Sequence, residues 1–96
     1  MTEITPMAEV EPVIFGVLKI KWRDGYVGLV DLRAVLADGE MFAFLRGDQS
    51  RFFRVALEPH GHKIYWRDDD GDEIDFGALS LRDRAERQAE ILRLAS

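Results

Sequence analysis

Residues 13–23 alternate apolar and polar side chains and run straight into Asp24-Gly25. No other segment restricts the fold as much. A period of two puts Leu18, Ile20 and Trp22 on one face of a strand and Val17, Lys19, Lys21 and Arg23 on the other. Asp-Gly between alternating runs signals a two-residue hairpin loop, because a type I′ turn needs positive φ at both central positions. The return strand is then residues 26–32. A two-residue loop sets Arg23 against Tyr26, Trp22 against Val27 and Ile20 against Leu29. Leu18, Ile20, Trp22, Val27 and Leu29 are therefore expected on one shielded face.

The remaining segments fall into place around this hairpin. Residues 1–12 are polar and interrupted by Pro6 and Pro12, and read as a loose arm with a short strand at Ile4. Residues 31–37 read as a short helix capped by Asp31 and ended by Gly39. Met41, Phe42, Phe44 and Leu45 supply a lid over the sheet, joined by Phe52 and Phe53 behind a turn capped by Asp48. A second hairpin pairs residues 55–58 with 63–67 across Pro59-His60-Gly61-His62, with Val55, Leu57, Ile64 and Trp66 inward. Beyond an acidic loop, Ile74 forms one more short strand and Asp75 caps the turn through Leu79. Ser80 and Asp83 resemble a capping box opening a helix. Leu81, Ala85, Ala89 and Leu92 form its apolar stripe, and Arg82–Glu86 and Asp83–Arg87 are opposite charges four apart. The expected fold class is α+β: a small antiparallel sheet of two hairpins, a short intervening helix and a C-terminal helix. The chain divides into an arm (1–12), a compact α+β domain (13–79) and an amphipathic helix (80–96).

A chain of 96 residues suits one domain, and 47% apolar with 32% charged residues argues against disorder. Cysteine is absent, which excludes disulfides, thiolate metal sites and a cysteine nucleophile. No run approaches the ~20 apolar residues of a membrane span. No basic segment followed by an apolar one opens the sequence, so a secretory leader is not expected and the location expected is cytoplasmic. The net charge of -5 argues against nucleic acid as a direct partner.

One ordered set of features carries a family resemblance. It comprises the alternating strand, Asp24-Gly25, Val30-Asp31-Leu32, Phe42, Leu45-Arg46, Phe52 to Val55, Ile64-x-Trp66, Gly71 and Asp75. Across residues 4–79 this set resembles the small bacterial proteins grouped as domain of unknown function 2442. The resemblance implies a small α+β fold with a short helix between its hairpins, and it implies no activity and no functional residues. It also implies a neighbouring small protein, in the manner of a toxin–antitoxin pair. The chain departs from the family in its long acidic loop, and in a single tail helix where some relatives append a helix-turn-helix.

The candidate sites follow from residue chemistry. Asp68, Asp70 and Asp72 offer oxygen ligands to Ca²⁺ or Mg²⁺. The spacing is not that of an EF-hand, since Trp66 stands five residues before Gly71; a solvated turn is the simpler reading. His60 and His62, with Glu58 nearby, lack the further ligands of a structural zinc site. Lys19, Lys21 and Arg23 beside Tyr26 offer a face to single-stranded nucleic acid. Ser50 and Ser80 stand at helix starts, where a hydroxyl caps the backbone. No cofactor and no enzymatic activity are expected. The stripe of Leu81, Ala85, Ala89 and Leu92 either folds back onto the domain or, with Asp69 and Asp70, forms the surface that meets a partner, another small protein or a second copy.

Overall fold

Leu18, Ile20 and Trp22 are fully buried while Lys19 and Lys21 between them are exposed, the alternation of a strand, β2 (Val17–Trp22). The computed structural model describes residues 4–95. Strand β2 is flanked by β1 (Met7–Ile14) and β3 (Val27–Asp31), both antiparallel to it. The chain then makes α1 (Arg33–Leu36), a 3₁₀ turn (Glu40–Phe42), α2 (Ala43–Gly47) and a 3₁₀ stretch (Gln49–Arg54). It continues through β4 (Ala56–Leu57), β5 (Lys63–Arg67), β6 (Glu73–Gly77) and α3 (Ala78–Ala95). The fold is α+β, as expected, but with two three-stranded antiparallel sheets, ordered β1-β2-β3 and β4-β5-β6, where the sequence suggested one.

Three local expectations are corrected. The loose arm is strand β1 from Met7 onward, with Met7 itself fully buried, whereas Ile4 lies outside any strand and is half exposed. The long strand 13–23 is broken at Phe15-Gly16. Gly16 turns the chain at φ 85°, and a Cβ there would stand 2.5 Å from Cγ of Arg33. Only glycine meets both demands. The third correction is the hairpin register. The Trp22 amide donates to the Tyr26 carbonyl at 2.8 Å and Lys21 pairs with Val27, so the loop is Arg23-Asp24-Gly25, three residues long with Gly25 at φ 93°. A three-residue loop ending in a left-handed glycine is the next commonest hairpin connection. The extra residue turns the return strand over. Val30 and Gly28 now face inward, while Val27 and Leu29 are 49% and 51% exposed on the outer face.

The core draws on both sheets and the segment between them. Phe52 is fully buried and meets Phe15 and Trp66, each at 5.5 Å between ring centres, while the Trp66 indole donates to the Phe52 carbonyl at 2.8 Å. Leu36, Leu45 and Ile64 fill in around them, so the middle stretch is the lid expected, except that Met41 and Phe53 remain exposed. The sheets are joined where the Met7 amide donates to the Gly61 carbonyl at 2.7 Å. A Cβ on Gly61 would come within 2.2 Å of the Met7 carbonyl oxygen, so this seam requires glycine.

The final helix begins earlier than expected. Asp75 lies within β6 and α3 starts at Ala78, so Ser80 is already its third residue and the Ser80–Asp83 pair does not open the helix. Ala78, Leu81 and Ala85 are buried in the common core. A Cβ at Gly28 would meet the Ala85 Cβ at 3.0 Å, so the small residue in β3 lets the helix approach closely. Arg82 clasps the hairpin end. Its guanidinium lies 4.1 Å over the Tyr26 ring and 5.2 Å from the Trp22 ring, and it pairs with Asp24 and Glu86 at 3.1 Å each.

Candidate functional site

Turning β3 over creates an apolar outer face. Val17 and Leu29 share it with Ile14, at the end of β1 where Ile14 pairs with Val17. Helix α3 touches the inner face at Ala85 and then passes the edge of β3. There the Gln88 side chain completes the ladder: its carbonyl oxygen accepts from the Asp31 amide at 2.9 Å and its amide donates to the Asp31 carbonyl at 3.1 Å. This side chain replaces the peptide group of a missing strand and covers part of an edge that would otherwise be open. One turn further on, Ile91 and Leu92 stand beside the outer face. With Ile14, Val17 and Leu29 they line a cleft of about 380 Å³ whose polar rim is Asp31, Arg33 and Gln88. The rim is neutral in sum: Arg33 holds Asp31 in a forked pair at 2.7 and 2.9 Å, and this hydrogen bonding keeps the Asp31 carboxyl below its usual range.

The partner surface read from the sequence divides. Leu81 and Ala85 are buried against their own domain and are not available to a partner, whereas Ala89 is exposed and Leu92 is 66% exposed. Of the four, only Leu92 lines the cleft. Ile91 widens the same stripe, whereas Ile14, Leu29 and Gln88 were missed. The signal for Leu29 was hidden in the register: with a three-residue loop at Gly25, Leu29 falls on the side of Val17. Asp69 and Asp70 lie at the tip of the β5–β6 hairpin and are exposed.

That tip is a compact turn. Asp68 accepts the amides of Asp70 and Asp72 at 2.9 Å each, and the Asp68 amide donates to the Asp72 carbonyl. The carboxylates of Asp68, Asp70 and Asp72 each bring an oxygen within 4.8 Å of the others. Three oxygens are about half of a calcium shell of six to eight, and Asp68 already serves the turn. At the other turn, Glu58 accepts the amides of His60 and His62 at 2.9 and 3.2 Å, and the bond from the His60 amide is the chief cause of its lowered pKa. Glu58 thus clamps the loop, and the two imidazoles lie 6.0 Å apart as a stacked pair. The cationic strand face carries its own counter-charges, since Lys19 pairs across with Glu11 and Lys21 with Glu9. Tyr26 is on the opposite face, beneath Arg82, so the cation-plus-aromatic surface expected there is not assembled. Ser50 donates its hydroxyl to Asp48, whose carboxylate also takes the Ser50 amide, so the aspartate is the cap.

No helix among the described residues is long and apolar enough to cross a membrane. Compared with family models, curated proteins and solved structures, the chain matches none. What the molecule itself defines is a small α+β protein with an apolar cleft at the outer edge of its first sheet.

Proposed function

We propose that this protein is a non-enzymatic protein-interaction module whose partner is a small, net-basic protein that seats an apolar side chain in the cleft of Ile14, Val17, Leu29, Ile91 and Leu92. The observation that carries this reading is their joint exposure. Ile14, Leu29, Ile91 and Leu92 are 51%, 51%, 64% and 66% exposed around one concavity, and contiguous apolar surface of this kind is characteristic of contact sites. The net charge of -5 favours encounter with a cationic partner. The resemblance to domain of unknown function 2442 supports an antitoxin-like role beside a small neighbouring protein. Such a module is read as cytoplasmic, in keeping with the absence of cysteine.

Co-expression with the product of the adjacent gene tests the proposal. Size exclusion should show a complex that Leu29→Lys combined with Leu92→Lys abolishes, with the melting temperature of the free protein little changed. Absence of a complex, or one indifferent to both substitutions, would remove this reading.

A further inference from the structure

The outer edge of β6 is a second surface, separate from the cleft and argued independently of it. Beyond the two ends of the β5–β6 ladder, the Asp68 amide donates to the Asp72 carbonyl at 3.0 Å and the Ala78 amide to the His62 carbonyl at 2.8 Å. Between them Trp66 pairs with Ile74 and Ile64 with Phe76. Hydrogen-bonded pairs alternate in an antiparallel ladder. Ile74 and Phe76 therefore turn their backbone groups toward β5, and Glu73, Asp75 and Gly77 turn theirs away. Strand β6 is the last of its sheet, and among the described residues nothing hydrogen-bonds to the outward amides of Glu73, Asp75 and Gly77 or to the carbonyls of Glu73 and Asp75, while the Gly77 carbonyl opens helix α3.

The two faces of β6 specify what an added strand would carry. On the inner face Ile74 is buried and Phe76 half-buried, with Phe76 stacked on Phe42 at 5.9 Å between ring centres. On the outer face Glu73 and Asp75 share the Lys63 ammonium at 2.6 and 3.7 Å. Arg67 also approaches Glu73 at 3.9 Å, so an added cation would meet chiefly Asp75, the more exposed of the two carboxylates and the one Lys63 holds only loosely. The turn adds Asp69, Asp70 and Asp72, none ion-paired among the described residues. A Cβ placed on Gly77 would meet nothing within 4 Å, so the end of this face is open.

We propose that the free edge of β6 captures an extended basic segment of another protein as an added strand, with its apolar residues beside Ile74 and Phe76 and its lysines or arginines beside Glu73 and Asp75. The backbone ladder supplies the register and the carboxylates select for charge. Acidic side chains on an edge can also serve only to repel other strands, and the two roles give opposite results.

The test uses the full chain and a labelled peptide of the length of β6 that alternates lysine with valine, beside one that alternates glutamate with valine. Fluorescence anisotropy reads binding, and amide exchange by NMR reads its location. The lysine peptide should bind at low salt and slow exchange at Glu73, Asp75 and Gly77. Asp75→Pro removes an outward amide while leaving the ladder to β5 intact, and should weaken binding about tenfold, the scale of one backbone hydrogen bond. Leu29→Lys with Leu92→Lys should leave peptide binding unchanged, which separates this edge from the cleft. No binding at low salt, equal binding of the glutamate peptide, or binding without slowed exchange at those three amides overturns the proposal. The exchange pattern on the unsubstituted protein decides the matter even if Asp75→Pro does not fold.

Discussion

The two halves of α3 carry the same apolar stripe and meet different fates. Leu81 and Ala85 in its first half are buried against the first sheet and held there by the Arg82 clasp. Ala89, Ile91, Leu92 and Leu94 in its second half are exposed. The dividing point is Gln88, where the helix reaches the edge of β3. A stripe at helical spacing tells which residues share a face. How much of that face is covered depends on the width of the surface beneath, and a three-stranded sheet ends before an 18-residue helix does.

Truncation should expose the contrast most strongly. Leu81→Ala removes a fully buried side chain and should cost about 2–4 kcal/mol in urea unfolding, whereas Leu92→Ala should stay within about 0.5 kcal/mol. Comparable losses at both positions would show that the tail is packed after all. Arg82→Ala should come next. Its contacts with the Tyr26 and Trp22 rings are worth ~1 kcal/mol at a partly exposed site, and a double-mutant cycle with Tyr26→Leu should recover most of that as coupling.

A smaller, pH-dependent effect sharpens the same boundary. Hydrogen bonding from Arg82 holds the Asp24 carboxyl below its ordinary value of 3.8. A lowered folded-state pKa means that the contribution to stability is complete above the unfolded value and is lost as pH falls through the folded one. Asp24→Asn should therefore lower stability by a small, constant amount near neutrality and make progressively less difference below about pH 4, which flattens the acid limb of the stability curve. Asp83→Asn, further along the helix, breaks only the exposed pair with Arg87 and should leave the melting temperature nearly unchanged, since such pairs contribute ~0.3–0.5 kcal/mol at most. If Asp83→Asn instead lowered the melting temperature as far as Arg82→Ala, the clasp would have no special part in fixing the first half of the helix.

The amino-acid sequence by itself determined the inward side of β2, the second hairpin with Ile64 and Trp66 inside, the lid, and the existence and stripe of the last helix. Each is a local matter of side-chain period or turn chemistry, legible within a dozen residues. Tertiary structure alone decided the side of Leu29, the strand hidden in the polar arm and the burial of Leu81 beside an exposed Leu92. One added loop residue reverses a strand, and a helix is covered only as far as its neighbour extends. The cleft exists because both decisions fell at the same edge, and no local period records where a sheet stops.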